Sequence, residues 1–146
     1  MASGPSQAGV TAFCEIRIAN NMSEIARVAA LVENFAGDHS FSNEVVVALN
    51  VSLDEILNNI ISYAYEDAGP HDIVVHLEIR CGNVEVTVKD DGKPFDPLTV
   101  STPDLMSKPR AGGGVGLHFV RNLTDELAYA RRDGINQLRL MKRLKP

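Results

Sequence analysis

Between Ser42 and about Tyr65 the chain reads as one long helix, and the placement of its apolar residues constrains what the rest of the molecule must be. At about 100° per residue, Val45, Val46, Leu49, Leu53, Ile56, Leu57 and Ile60 form one broad stripe that another layer has to cover. Ala48, Ser52, Glu55, Asn59 and Ser62 line the flank of that stripe, small or polar and all pointing one way. Glu55 and Asn59 stand at i and i+4, which puts their Cβ atoms roughly 5–6 Å apart. Asparagine is a middling helix former, so the adjacent Asn58 and Asn59 weaken a helix that nothing else disfavours. One reading is an ordinary polar flank with a stabilising side-chain hydrogen bond. The other is a chemical pair: an amide oxygen suited to Mg²⁺ and a carboxylate able to take a proton from an attacking hydroxyl.

What surrounds this helix alternates. "AFCEIRIAN" sets Cys14, Ile16 and Ile18 against Glu15 and Arg17, a half-buried strand. "MSEIARVAALVENFAGD" predicts a first helix with Ser23 as its N-cap and Gly37 just past its last apolar residue. After "EDAGPHD" come two alternating strands, "IVVHLEIR" and "NVEVTVKD", turning around Gly82-Asn83. "VGLHFVRNLTDE" predicts a third helix, and "LAYARR", Asp133-Gly134 and "INQLRLMKRL" a closing hairpin. Strands joined mainly by hairpins, with helices gathered elsewhere, predict an α+β fold. The expected architecture is a two-layer α/β sandwich, its mixed and largely antiparallel sheet covered by helices on one face.

Composition narrows the function classes. At 146 residues, with 45% apolar and 23% charged side chains, the chain fits one globular domain and neither disorder nor a fibrous repeat. That domain is expected from about Thr11 to the end, after a short disordered leader over residues 1–10. A net charge of −5 argues against direct nucleic-acid binding as its main business. No apolar run approaches the roughly 18 residues of a membrane span, and no secretory signal opens the sequence. Cys14 and Cys81 lack metal-type spacing and sit in apolar alternation, which predicts buried thiols in a reducing cytoplasm.

Two further stretches carry chemistry. In "VEVTVKDDGKPFDP", Val84, Val86 and Val88 share one face of a strand, and the two-residue period puts Asp90 on that inward face while Asp91 points away. A carboxylate aimed at a core is costly unless hydrogen-bond donors meet it. It serves either as the cap of an Asp-Gly turn or as the acceptor for a ligand's amine, with Gly92 permitting a close backbone approach. From Gly92 to Gly114 the chain is irregular and rich in Pro and Gly, longer than an ordinary connection. It ends in "RAGGGVGLHFV", where Gly112, Gly113, Gly114, Val115 and Gly116 open a helix and gather free N–H groups, an anion site. A dinucleotide fingerprint fails, because the third glycine slot holds Leu117 or Phe119, and no Gly-Lys-Ser/Thr of a P-loop follows. The stretch reads as a lid, with Lys108 and Arg110 as candidate phosphate partners, or as a flexible linker with a glycine-tolerant helix start.

Taken in order, Glu55-x-x-x-Asn59 on a helix, Asp90-Asp91-Gly92 at a strand end and Gly114-Val115-Gly116 at a helix start resemble the N box and two glycine boxes of the GHKL ATP-binding domain, the Bergerat fold. Within that superfamily the short form is similar to the RsbW/SpoIIAB-type anti-sigma factor serine kinases, through "EIARVAALV", "LDEILNNIISYAY" and "GGGVGLHFVRNLTDEL". The resemblance implies a cytoplasmic partner-switching regulator. It would bind ATP with Mg, hold a sigma factor inactive, and phosphorylate a Ser or Thr of a STAS-domain anti-anti-sigma protein. It also implies residue roles. Glu55 would be the general base, Asn59 the Mg²⁺ ligand, and Asp90 the acceptor of the adenine amine, with Gly92 against the base. Gly112, Gly113, Gly114, Val115, Gly116 and Leu117 would meet the phosphates with Lys108 and Arg110, Asn136 would lie near the nucleotide, and Arg27 would contact partner proteins. Family members commonly form homodimers. Departures from the pattern are Tyr63 where His is frequent, Asn136 where the closing hairpin usually carries Thr, and a glycine-richer lid. The altered hairpin and lid keep one rival open, a nucleotide-dependent sequestering module without phosphoryl transfer; a detached hydrolytic ATPase is a third reading, for which the residues give no positive sign.

Overall fold

A computed structural model describes residues 9–67, 69–95 and 114–145, with backbone alone over 114–118. Its elements are β1 (Val10–Ala19), α1 (Ile25–Asp38), α2 (Asn43–Tyr63), β2 (Asp72–Arg80), β3 (Asn83–Asp90), α3 (Gly114–Leu123), β4 (Glu126–Arg132) and β5 (Ile135–Arg143). The five strands form one sheet in the order β1-β2-β3-β5-β4. All four pairings are antiparallel, so the sheet is of one kind throughout the described residues. The α+β sandwich is therefore as the sequence pattern predicts, and β1 opens at Val10, two residues before the expected strand.

The core lies between the inward face of the sheet and the helices. Val84, Val86 and Val88 of β3, Ile73, Val75 and Leu77 of β2, and Leu138 and Leu140 of β5 meet Leu49, Leu53, Ile56 and Leu57 of α2, Val28 and Val32 of α1, and Val120 of α3. Truncating any of the fully buried leucines to alanine is expected to cost about 2–5 kcal/mol. By length and composition alone α2 would pass as a membrane span, contrary to the reading that no such run exists. Its apolar stripe is instead the inner face of the sandwich. The opposite sheet face carries ion pairs: His76 sits between Glu15 and Glu78 at 3.0 Å from each, and Arg80, Glu85 and Arg139 continue the row.

Local punctuation differs from the sequence reading in three places. Ser23 does not cap α1; Asn21, in extended backbone two residues earlier, accepts from the Ser23 N–H at 3.0 Å and starts a short 3-10 turn that runs into the helix. Nor does α1 stop at Gly37. It continues to Asp38, Ser40 takes the left-handed conformation (φ 57°), and the Phe41 N–H reaches back to the Ala36 carbonyl at 2.9 Å. The Phe41 ring then packs edge-on to Phe35, the apolar contact that accompanies this helix stop. Finally, the β2–β3 turn is Cys81-Gly82, both at positive φ, and not Gly82-Asn83. Cys81 is consequently exposed rather than buried, while Cys14 keeps its inward place and burial pushes its thiol pKa up to about 11.

Candidate functional site

The alternation of β3 delivers Asp90 to the helix side of the sheet, where it is only 6% exposed. Its Oδ1 accepts from the Gly92 N–H at 2.9 Å and from Asn136 Nδ2 at 3.0 Å. Its Oδ2 accepts no hydrogen bond among the described residues. Burial raises the pKa of this carboxyl above its ordinary value, against the lowering effect of those two donors. One oxygen of Asp90 thus caps the turn, as the sequence pattern allows, and the other is left over.

Gly92 is buried, and its role is steric. A Cβ there would stand 2.5 Å from the Ala64 Cβ and 2.7 Å from the Ala64 carbonyl oxygen. The Lys93 N–H donates to that same carbonyl at 2.8 Å. So the turn after β3 is laid directly on the C-terminal end of α2. Counting back at 1.5 Å per residue, Asn59 lies roughly 8 Å and Glu55 roughly 14 Å along the helix from this contact.

On α2 the polar flank is largely buried: Ala48, Ser52 and Asn59 are covered, Glu55 is partly covered and Ser62 is exposed. Asn59 Nδ2 donates to Glu55 Oε2 at a long 3.4 Å, and Asn59 Oδ1 accepts nothing among the described residues. Desolvation and the neighbouring Asp54 charge raise the Glu55 pKa, partly opposed by the Asn59 hydrogen bond. An amide oxygen with no partner beside a carboxylate of raised proton affinity is a donor set that suits a hard, hydrated divalent cation and a hydroxyl nucleophile. Among the described residues no three His, Cys, Asp or Glu side chains gather to hold a metal alone.

Asn136, buried on β5, binds on both sides of its amide. Besides Asp90, Nδ2 approaches the Gly92 carbonyl at 3.2 Å and the Lys93 carbonyl at 2.9 Å. Oδ1 accepts from Arg131 Nη1 at 2.9 Å and from the Tyr129 hydroxyl. Outside this cluster His71 joins the α2–β2 loop to the end of β3, with Nε2 at 2.9 Å from Asp67, Nδ1 at 3.1 Å from Asp91, and its ring stacked on Tyr65 at 4.2 Å.

The structure therefore brings Asp90, Gly92 and Asn136 into one bonded cluster and ties it to the helix bearing Glu55 and Asn59. Gly114, Val115, Gly116 and Leu117 form the first turn of α3, which packs on α2. Lys108, Arg110, Gly112 and Gly113 lie outside the described residues. Arg27 sits apart on the exposed side of α1, paired with Glu24 at 2.9 Å. Sequence reasoning missed Ala64, His71, Tyr129 and Arg131. Only Arg131 left a signal: a two-residue turn at Asp133-Gly134 places residue 131 opposite residue 136.

Comparison with known proteins gives the family and the fold. Residues 18–142 match the family model of the histidine kinase-like ATPase domain. The chain is 33% identical over 119 residues to the serine/threonine-protein kinase BtrW of Bordetella bronchiseptica, covering 79% of this chain and 82% of that protein. It is 22% identical over 129 residues to the serine-protein kinase RsbW of Bacillus velezensis, covering 84% and 81%. The fold matches a crystal structure of the RsbU and RsbW domains of Rv1364c from Mycobacterium tuberculosis with a TM-score of 0.68 at 18% identity. That alignment takes in 93% of this chain and 34% of the longer one.

Proposed function

This chain belongs to the histidine kinase-like ATPase domain family and is a serine/threonine-protein kinase like its named relatives; within that class we propose that it is an anti-sigma factor that phosphorylates a STAS-domain anti-anti-sigma protein using Mg-ATP. The observation that carries the nucleotide half of this reading is Asp90. It is a buried carboxylate with one oxygen saturated by Gly92 and Asn136 and the other without a donor. Such an oxygen suits an exocyclic amine, and Gly92 gives a flat surface beside it because no side chain fits against Ala64.

In this reading Mg²⁺, when bound, neutralises charge on the transferring phosphoryl group. The chain supplies the rest. Asn59 Oδ1 would hold the cation, and its Nδ2, which donates to Glu55 Oε2, would keep that carboxylate turned toward the substrate hydroxyl. Glu55 takes the hydroxyl proton, a task favoured by a carboxyl whose burial raises its proton affinity. Gly114, Val115, Gly116 and Leu117 present the N–H groups of the first turn of α3, a fitting place for phosphate oxygens together with Gly112, Gly113, Lys108 and Arg110. Arg27 lies on an outer surface suited to a partner protein, and a homodimer completes the proposal.

Incubation with Mg-ATP and a STAS-domain partner tests the reading. Phosphoserine or phosphothreonine on the partner, absent with Glu55→Gln, is the expected result. An ATP-sensitive complex with no phosphorylated product would leave sequestration as the activity instead.

A further inference from the structure

Asp90, Asn136 and Arg131 stand side by side on three neighbouring strands. Asp90 is opposite Asn136 across β3 and β5, and Arg131 is opposite Asn136 across β5 and β4, so the three share the helix side of the sheet. Every hydrogen-bonding position of the Asn136 amide is occupied. Its two N–H donors face three acceptors, and its oxygen takes both Arg131 and the Tyr129 hydroxyl. The donors on one side and acceptors on the other also fix which way the amide points. Arg131 Nη1 donates in addition to the Gly92 carbonyl at 2.9 Å, gripping the turn that caps Asp90.

We propose that Asn136, locked by Arg131 and Tyr129, is a positioning residue that orients Asp90 and thereby sets adenine selectivity from the β4–β5 hairpin, without itself contacting the nucleotide. The proposal rests on the reading of Asp90 as the acceptor of the adenine amine. An amide with no remaining valence offers nothing to a ligand, yet its Nδ2 holds Asp90 Oδ1 and so decides where Oδ2 points. Removing Arg131 leaves the Asn136 oxygen with Tyr129 alone and the Gly92 carbonyl with only the longer 3.2 Å contact from Asn136, and Asp90 loses a nearby positive charge that favours its ionised form.

Two measurements on Arg131→Met and Tyr129→Phe decide the matter. The first is calorimetric affinity for ATP and for ITP, which carries a carbonyl where ATP carries the amine. The second is the Asp90 carboxyl titration followed by NMR in the unliganded protein. Arg131→Met is expected to narrow the ATP-over-ITP preference about fivefold, a modest change because Arg131 is exposed and screened, and to move the Asp90 titration to higher pH. Tyr129→Phe should narrow the preference less, in the same direction. An Asp90 titration unmoved in Arg131→Met overturns the lock. A moved titration with both nucleotides weakened in parallel overturns its part in selectivity. Should the wild-type chain bind neither nucleotide, the nucleotide reading fails, and the titration still decides whether Arg131 and Asn136 hold Asp90.

Discussion

The two ends of the candidate site are built on opposite plans. Around Asp90 every donor is matched, the glycine is pressed against a helix end, and the cluster spans three strands. Around Glu55 there is one long 3.4 Å hydrogen bond and a carboxylate open on one side. Recognition gains from groups fixed in advance, because nothing remains to be ordered when the ligand arrives. A proton acceptor is better left loose until the substrate hydroxyl is present, since such bonds tighten in the reactive complex. On the proposed function, one site thus pairs a rigid recognition end with a yielding chemical end.

The largest expected effect separates the two. Glu55→Gln should lower phosphoryl transfer by roughly 10²–10⁴-fold while ATP affinity stays within about twofold, read by phosphorylation rate and calorimetry. Equal losses in both would show that the two ends are not independent. Asp90→Asn should do the reverse. ATP affinity is expected to fall about 10–100-fold, as when a charged hydrogen-bond acceptor is lost. The unliganded fold should be as stable as wild type or more so at neutral pH. The sign follows from the raised pKa: the unfolded chain gives up this proton at lower pH than the folded one, so stability drops as pH rises past the ordinary 3.8 and stays lower above the folded pKa. A neutral amide removes that penalty, and a thermal midpoint that falls sharply would contradict it.

Gly92→Ala probes how rigid the recognition end is. A Cβ at 2.5 Å from Ala64 has to push two backbone segments apart, at about 1–3 kcal/mol of stability by chemical denaturation. An unchanged midpoint would mean the turn yields and is less fixed than its contacts imply. The smallest effect concerns His71, which Asp67 and then Asp91 hold above its ordinary 6.5. Its pairing is fully present below that value and is lost as pH rises through the raised pKa. The wild-type midpoint should therefore decline slightly across that interval, and His71→Gln should flatten the decline.

Much of this was readable in the residues. Period two over Val84, Val86 and Val88 put Asp90 inward, and helical period put Glu55 and Asn59 on one line; both are local geometry, and both hold. What escaped depends on contacts distant in sequence or on choices between near-equal local options. Nothing near Gly92 announces that Ala64, 28 positions earlier, will be its neighbour. Asn21 outcompeted Ser23 as a cap and Ser40 stopped the helix that Gly37 was expected to end, because the paths of the flanking strand and helix decide which turn is used. The Arg131 pairing follows only once the turn length is known.

The Cys81-Gly82 turn has a practical use. It lies at the opposite end of the eight-residue β3 from Asp90, roughly 25 Å away along an extended strand. A maleimide dye would therefore attach to the native chain preferentially at the exposed Cys81 sulfur, while the half-buried Cys14, its thiol pKa pushed up to about 11, reacts far more slowly. Fluorescence from that handle would follow partner capture with no engineered cysteine and no probe beside the chemistry.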